Sequence, residues 1–232
     1  MRLEQILENY EVEVPIYRGL KLPEDASVGD IIPLTARQDR KPKDSSIMGS
    51  MLFNYGIQCR FGVSDVRKTS IFAACSYNIA KSYTAGVGRG VVQIIVPANS
   101  LVIYNRSVGD SLGILERRDV QAFILHMSKY IDDPTMDQYL SKNSGELFHD
   151  LVAEAVEDGE EFVELMRIFE DLAIEITDGY IAERAGEMTA SARDSFECMV
   201  HGVSAYSGKI LEIINPTAQQ NQQQVDDDNI PF

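Results

Sequence analysis

The spacing of apolar and polar residues changes twice along the chain. Residues 11–17 alternate as in a half-buried strand, and residues 91–97 form an apolar run typical of a strand buried on both faces. After Gly113, apolar residues recur every three or four positions, which is the spacing of amphipathic helices. Strand patterns return at residues 198–200 and 209–214. The pattern therefore predicts a sheet that helices interrupt and that later strands complete.

Shorter sequence patterns predict the elements of the first part of the chain. Leu3, Ile6 and Leu7 predict a short N-terminal helix, and the strand at residues 11–17 is expected to close at Arg18 and Gly19. A segment rich in proline and charge, most basic at residues 37–44, predicts a loop. Further along, we expect a helix near 48–55, a strand at 66–74, a helix at 78–83, a flexible turn at 86–90 and a strand at 101–104.

These elements predict an α+β fold in four segments. Residues 1–112 are expected to form the first part of the core, and residues 113–192 an α-helical insert of three or four helices. Residues 193–216 would supply the strands that complete the core. Residues 217–232 would form a Gln-rich linker and an acidic tip, which we expect to be a disordered tail.

Composition narrows the class of protein. Hydrophobic residues make up 44% of the chain, and no apolar run approaches the roughly 20 residues of a membrane helix, so we expect a soluble, cytoplasmic protein. The net charge of −15 disfavours nonspecific attraction to nucleic-acid phosphates. Cys59, Cys75 and Cys198 are widely spaced and odd in number, which predicts buried thiols in place of disulfides or a zinc site.

The charge is distributed unevenly. Basic residues are frequent from Arg2 to Arg118, whereas residues 132–187 and the tail are strongly acidic. A cationic cleft can therefore lie within an anionic molecule. The three histidines, His126, His149 and His201, are scattered and predict no metal site.

The C-terminal tip combines two kinds of binding group. Three carboxylates, Asp226, Asp227 and Asp228, precede an apolar tripeptide, Ile230-Pro231-Phe232, which carries the terminal carboxylate. The Phe232 ring suits an apolar pocket, its carboxylate suits a basic side chain, and the aspartates steer the tip toward positive surface. The tip resembles the acidic tail of bacterial single-stranded DNA-binding proteins. This resemblance implies docking to host repair or replication enzymes that read that tail.

Three short segments carry candidate chemistry. Tyr17-Arg18-Gly19 offers a guanidinium beside backbone that a ligand can approach closely, which suits a diphosphate. Residues 67–83 combine basic and hydroxyl side chains in a predicted strand, turn and helix. Glu197 presents a carboxylate where a late strand begins.

In their order, these segments resemble the arginine-type ADP-ribosyltransferases, in particular the small enzymes with which bacteriophages modify host proteins. That family has a strand bearing Tyr/Trp-Arg-Gly, a Ser-x-Ser strand leading into a helix, a strand ending in proline, and a glutamate opening a later strand. The matches here are residues 17–19, 72–83, 91–97 and 196–200. The resemblance extends over about half of the chain, mainly its first hundred residues and roughly fifteen near its end. The resemblance implies an ADP-ribosyltransferase-like split mixed sheet with a cleft for NAD as substrate.

The resemblance also implies roles for individual residues. Arg18 and Gly19 would hold the NAD phosphates and the nearby ribose, and Glu197 would accept a hydrogen bond from the nicotinamide-ribose 2′-hydroxyl. Arg18 and Glu197 are the catalytic candidates. Four further residues are candidates for NAD binding: Ser70 or Ser76 for the role of the family serine, and Phe72 or Tyr83 for packing against nicotinamide. A protein or nucleic acid would accept the ADP-ribose.

Departures from the family pattern keep other readings open. Phe72 and Ala74 occupy the positions of the expected serines, and Ser195 stands where arginine-directed members carry Glu or Gln. A non-arginine acceptor, NAD hydrolysis and no turnover are therefore all possible outcomes. Three other carboxylates, in predicted helical surroundings, compete with Glu197: Glu116, Glu183 and Glu187.

Two functions of other classes also compete. A noncatalytic protein could use the tail to occupy the docking pockets of host DNA repair or replication enzymes. A single-stranded DNA-binding protein would explain the tail, but the chain has no Trp and its net charge of −15 opposes phosphate binding. The leading prediction is a phage-type mono-ADP-ribosyltransferase recruited through its tail.

Overall fold

A computed structural model of the chain describes residues 14–37, 39–43, 45–107, 111–132, 134–157, 159–188, 192 and 197–214. The predicted N-terminal helix, Ser195 and the acidic tip lie outside these residues. The described chain divides into two compact units. The strand unit takes residues up to 36, from 70 to 107 and from 181 onward, and the helical unit takes residues 37–69 and 111–180.

The strands form two four-stranded sheets. Their bounds are β1 Ile16–Lys21, β2 Ile31–Thr35, β3 Ile71–Ala73, β4 Arg89–Ile95, β5 Leu101–Asn105, β6 Tyr180–Arg184, β7 Cys198–His201 and β8 Ala205–Ile214. One sheet has the order β1-β4-β8-β2 and the other has the order β3-β7-β5-β6. The predicted α+β class is confirmed, but both sheets are antiparallel, so the expected mixed sheet is wrong.

A short contact joins the two sheets. The Tyr17 amide donates to the Ala74 carbonyl at 2.7 Å, and the Ala74 amide donates back to the Tyr17 carbonyl at 2.8 Å. Ile16 of β1 and Ile71 of β3 belong to one shared apolar core, against which Leu20 also packs. Because side chains alternate along a strand, Arg18 lies on the same face of β1 as Ile16 and Leu20.

The opposite face of β1 carries the helix Tyr77–Ser82, named α3 in the numbering below. The Tyr77 ring meets the Tyr17 ring edge-on at 5.8 Å between centroids. Gly19 makes room for this helix, because a β-carbon there would lie 2.6 Å from the Ala80 carbonyl oxygen. The close approach of backbone to backbone therefore explains why the strand carries a glycine at this position.

A bulge on β8 changes which way its side chains point. Val92 pairs with Ile210, but the preceding residue of β4, Val91, pairs with Glu212, so Leu211 is an extra residue in the ladder. Such an insertion turns the following side chains to the other face. Glu212 thereby reaches α3, where it accepts hydrogen bonds from the Tyr77 hydroxyl and, at 2.7 Å, from the Lys81 ammonium.

The strand β2 lies at the end of the first sheet's order and contains Pro33. The Ala36 amide donates to the Ser204 carbonyl at 3.0 Å, on the side of β8. Amides of successive strand residues point in opposite directions. Position 33 is three residues from position 36, so an amide there would face away from β8. Proline, which has no amide hydrogen, is thus accommodated without loss of a ladder bond.

The helical unit contains amphipathic helices joined by short loops. The helices of the whole described chain are α1 Ile47–Phe61, α2 Val66–Thr69, α3 Tyr77–Ser82, α4 Ser111–Leu115, α5 Arg118–Met127, α6 Met136–Ser141, α7 Ser144–Ala155 and α8 Gly159–Ile176; residues 185–187 form a 3₁₀ turn. Phe148 of α7 stacks on Phe169 of α8 with centroids 3.6 Å apart. None of the described helices is both long and apolar enough to cross a lipid bilayer.

A buried ionic group ties the helical unit together. We call the set Asn54, Asp65, Lys68, Tyr139 and Ser144 the Lys68 cluster. The Lys68 ammonium lies 2.9 Å from the Asp65 carboxylate and donates to the carbonyls of Tyr139 and residue 142 at 2.8 and 2.7 Å. The Ser144 hydroxyl donates to Asp65 at 2.6 Å, and the Asn54 amide nitrogen donates to the hydroxyls of Tyr139 and Ser144. The buried charge of Lys68 and the partly buried charge of Asp65 thus have several polar partners.

Several sequence predictions are confirmed by these elements. The strands predicted at 91–97, 101–104, 198–200 and 209–214 and the helix predicted at 78–83 appear as β4, β5, β7, β8 and α3, with shifts of a few residues at their ends. The helix near 48–55 is longer than predicted. After Gly113, where three or four helices were predicted, four helices begin among the described residues: α5 to α8.

Other predictions are wrong. Arg18 and Gly19 lie within β1 and do not close it, and residues 66–74 form α2 followed by β3 and not one strand. The strand β2 was not predicted. The strand β6 falls inside the segment predicted to be helical, so Glu183 lies in a strand. Cys59 is exposed, whereas Cys75 and Cys198 are buried as expected.

Candidate functional site

Arg18 occupies the middle of β1, paired with Val92 of β4. Its guanidinium donates a hydrogen bond of 2.8 Å to the Tyr206 hydroxyl oxygen, on β8. The ion pairs found among the described residues involve other cations, so Arg18 has no carboxylate partner there. A neutral hydroxyl leaves the positive charge of Arg18 uncompensated, and this charge is available to an anionic ligand.

Glu197 is half-buried and immediately precedes β7. Cys198, the first residue of β7, pairs with Ala73 of β3, and the next residue of that segment, Ala74, bridges to Tyr17 of β1. Only β3 therefore separates the strand of Arg18 from the strand that Glu197 opens. Two strand spacings correspond to about 10 Å between these backbones. The strand order thus brings the backbones of Arg18 and Glu197, 179 positions apart in sequence, into one region of the strand unit.

Phe72 lies on the intervening strand. It is half-buried in β3 and pairs with Met199 of β7. Among the aromatic candidates for a nicotinamide contact, Phe72 is therefore the one whose strand lies between those of Arg18 and Glu197. Because Ile71 and Ala73 face the shared core, the Phe72 side chain points to the other face of β3, the face that carries Ala74. Ala73 and Ala74, beside it, supply no hydroxyl group.

Ser70 immediately precedes β3, at the end of the strand away from the bridge at Ala74. It is buried, with 1% of its surface exposed, and its hydroxyl oxygen is 3.4 Å from Nδ1 of His201. Burial lowers the pKa of His201. Because Ser70 is packed against the imidazole and withdrawn from solvent, the geometry favours a structural contact for this hydroxyl.

Gly19, Ser76 and Tyr83 are associated with α3. Ser76 stands at the N-terminal end of α3 without capping it through its side chain, and Tyr83 stands at the C-terminal end. A β-carbon on Gly19 would lie 3.1 Å from the Tyr83 carbonyl carbon, so α3 fills the space over the glycine. These three residues lie on the face of β1 opposite the Arg18 side chain. The structure therefore does not bring them to the guanidinium.

A second polar group lies on β5 and β6. The Tyr104 hydroxyl donates to the Glu183 carboxylate at 2.8 Å, and the Arg106 guanidinium lies 5.9 Å from the Tyr104 ring centroid. Burial is the main cause that raises the pKa of Tyr104. Tyr104 pairs with Cys198, the residue after Glu197. Of the three competing carboxylates, Glu183 is thus the one that the strand order places near Glu197.

A third group surrounds Glu212 on the α3 side of the first sheet. The Lys81 ammonium and the Tyr77 hydroxyl hold the pKa of Glu212 below its usual value. The reciprocal hydrogen bond raises the pKa of Tyr77 to about 12. Sequence spacing gives no sign of this group, because the bulge at Leu211 decides the direction of Glu212.

The remaining candidates are dispersed. Glu116 follows α4 and Glu187 ends the 3₁₀ turn, and both are exposed. His126 and His149 lie on α5 and α7. Within the described ranges, no three His, Cys, Asp or Glu side chains come together as a metal site would require. The acidic tail candidates, Asp226, Asp227, Asp228, Ile230, Pro231 and Phe232, lie outside the described residues.

Comparison of the chain with protein-family models, with curated proteins and with solved structures finds no match. Function is therefore inferred from the chain's own residues and from the resemblance of its motifs. The strongest candidate site is the region of β1, β3 and β7 that contains Arg18 and Glu197.

Proposed function

We propose that this chain transfers ADP-ribose from NAD to a macromolecular acceptor, at a site formed by Arg18 and Glu197. The observation that carries the proposal is the guanidinium of Arg18, which is held by a neutral hydroxyl at 2.8 Å and has no carboxylate partner among the described residues. A diphosphate offers that guanidinium a strong charge-assisted contact, whereas an existing carboxylate partner would compete with the ligand.

The strand order supports the second half of the site. Glu197 immediately precedes β7, and one strand, β3, lies between β7 and β1. When nicotinamide leaves NAD, positive charge develops at the anomeric carbon of the ribose. A carboxylate fixed near that carbon stabilises the charge more in the transition state than in the ground state. Glu197 is proposed for this role, and Phe72 is proposed to pack against the nicotinamide ring.

The tail supplies the proposed route to the acceptor. Phe232 and the aspartates before it would dock a host enzyme that reads the tail of single-stranded DNA-binding protein. Tethering raises the local concentration of the acceptor, so the active site needs little surface specificity of its own. Removing Phe232 should therefore weaken labelling of a docked host protein while NAD binding is unchanged.

The experiment that tests the proposal titrates NAD against the purified protein and measures transfer of label from NAD in a bacterial lysate. Arg18→Ala should abolish NAD binding, and Glu197→Ala should abolish labelling while much of the binding is retained. Matched controls are the exposed residues Arg37 and Glu154, whose alanine variants should behave as the parent protein. Saturable NAD binding that survives Arg18→Ala would contradict the proposal.

A further variant separates two carboxylates. Glu183 is hydrogen-bonded to Tyr104, next to the strand that Glu197 opens. If Glu183→Gln loses labelling and Glu197→Gln retains it, the catalytic carboxylate is Glu183. The reverse result supports Glu197.

One observation favours a second function. Phe72 and Ala74 replace the hydroxyl residues of the family pattern, and the hydroxyl of Ser70 is buried against His201. A noncatalytic protein that occupies tail-docking pockets through Phe232 needs no such hydroxyls. It would bind exonuclease I or a similar tail reader, lose that binding without Phe232, and show neither NAD binding nor labelling.

A further inference from the structure

We propose that Tyr206 is a positioning residue, which holds the Arg18 guanidinium in place for the phosphate groups of the ligand. The inference rests on the proposed function in one respect, the identity of the ligand as a dinucleotide. The positioning itself depends on the contact between Arg18 and Tyr206 and can be measured without NAD.

The contact joins distant parts of the chain. Arg18 is on β1, and Tyr206, 188 positions later, is on β8, with β4 between the two strands. In the row across the sheet, Arg18 is opposite Val92, and Val92 is opposite Ile210. Tyr206 lies four residues before Ile210, so the arginine side chain has to lean along the sheet to reach it. The hydrogen bond to the Tyr206 hydroxyl holds the side chain in that direction.

Tyr206 is itself well fixed. It is 7% exposed, belongs to the shared apolar core, and pairs with Leu34 of β2. A phenol ring has only two side-chain torsions, whereas an arginine loses much more rotamer freedom when it is ordered. A buried tyrosine can therefore hold the arginine before the ligand arrives, which reduces the entropy lost on binding.

The chemistry of the partner matters as well. A carboxylate would hold the guanidinium more strongly but would cancel its charge. The tyrosine hydroxyl occupies one of the five N–H donors of Arg18 and leaves its charge intact. Its own hydrogen has no hydrogen-bond acceptor among the described residues, so it can be donated to a phosphate oxygen. Arg18 and Tyr206 together would then present donors to one anionic group.

The test replaces Tyr206 with Phe, which removes the hydroxyl and keeps the ring. NAD affinity should fall about tenfold, the loss expected when one hydrogen bond to a charged group is removed. Labelling at saturating NAD should be unchanged, because Tyr206 contacts no reacting atom in the proposed site. The effect should therefore appear in KM and not in kcat. Tyr206→Met is the second variant if the first does not fold.

The matched control is Tyr55→Phe in the helical unit. It also removes one tyrosine hydroxyl that bonds a charged side chain, here Glu170 at 2.9 Å. NAD affinity should not change in this variant. An equal loss of affinity in both variants would overturn the proposal, because it would show a general effect of deleting a hydroxyl.

A direct measurement distinguishes failure of the positioning from failure of the proposed function. The measurement is an NMR spectrum of protein isotopically labelled at arginine, in which Arg18→Lys assigns the Nε–H resonance of Arg18. This resonance should be resolved in the parent protein and averaged by motion in Tyr206→Phe. If that change occurs but the parent binds no NAD, the proposed function fails and the positioning stands. An unchanged resonance, or tighter NAD binding by Tyr206→Phe, overturns the positioning.

Discussion

The two units of this protein treat a cation inside the fold in opposite ways. In the helical unit, Lys68 has a carboxylate 2.9 Å away, two backbone carbonyls and a surrounding network of hydroxyl and amide groups. In the strand unit, Arg18 has one neutral hydroxyl and no ion pair among the described residues. A charge that its own fold neutralises serves stability, and a charge left uncompensated is available for binding.

The charge of the partner distinguishes a structural cation from a functional one more clearly than the solvent exposure of its side chain does. Both side chains are withdrawn from bulk water to some degree, and both lie next to core residues. What differs is whether the partner carries the opposite charge. The comparison therefore predicts that removing a partner is costly in the Lys68 cluster, and that changing Arg18 affects ligand binding more than folding.

The largest expected effect is at Asp65. Asp65→Asn keeps the size of the side chain but leaves the Lys68 ammonium buried without its counter-charge. Breaking a buried ion pair in this way costs about 3–5 kcal/mol. Urea unfolding should show that loss of unfolding free energy. Arg18→Met should change it by less than about 1 kcal/mol, because no buried carboxylate is left behind.

Asp39→Asn is the control for Asp65→Asn. Asp39 is an exposed carboxylate, 3.9 Å from Arg37, in the same unit, and surface pairs of this kind contribute little. Its unfolding free energy should match that of the parent within about 0.5 kcal/mol. The comparison breaks down if Arg18→Met is as destabilising as Asp65→Asn.

An intermediate effect is expected at Gly19. In Gly19→Ala, the new β-carbon would lie 2.6 Å from the Ala80 carbonyl oxygen and 2.8 Å from the Thr84 methyl carbon. Displacing α3 from β1 should cost about 1–3 kcal/mol of unfolding free energy, as overpacking usually does. Gly159→Ala is the control, because no atom lies within 4 Å of its added β-carbon. An unchanged unfolding free energy in Gly19→Ala would show that packing against α3 does not require a glycine at this position.

The smallest effect is a pH dependence at His201. Burial lowers its pKa in the folded protein, so the unfolded chain takes up the proton first as the pH falls. Protonation then favours unfolding, and the unfolding free energy should decrease below about pH 6.5, by at most about 1.4 kcal/mol per pH unit for one proton. His201→Gln should flatten that slope between pH 5 and 7. Equal slopes would show that other groups cause it.

The elements with the strongest periodic patterns could be predicted from the sequence. β4 follows from the apolar run at 91–97, because a strand buried on both faces needs apolar residues at every position. The helix α8 follows from the spacing of Phe162, Leu165 and Phe169. In both cases local sequence and burial agree, so the pattern is sufficient.

Other elements depend on information that local patterns do not hold. Residues 66–74 contain enough β-branched and apolar residues for a strand, but Val66–Thr69 is a helical turn, and Lys68 within it is drawn into the buried ion pair with Asp65. The bulge at Leu211 reverses the alternation of β8, so the face of Glu212 could not be read from its position. These outcomes are decided by tertiary contacts.

The candidate site shows the same limit. Arg18 and Glu197 could be nominated from their motifs, and the strand order places their strands close together. Tyr206 could not be nominated from the sequence, because its hydrogen-bond partner is 188 positions away and no local pattern indicates that contact. Gly19 was nominated for a ligand, but α3 gives it a packing reason that only the three-dimensional contact reveals.

Pro33 has a consequence for how this molecule behaves at high concentration. The outermost strand of a sheet is a template on which the strand of a neighbouring molecule can grow, and such growth leads to fibres. In β2 the backbone nitrogen of Pro33 faces outward and carries no hydrogen. A strand added by a second molecule would therefore lack one hydrogen bond in the middle of this five-residue strand. Pro33 thereby disfavours edge-to-edge association of two molecules through β2.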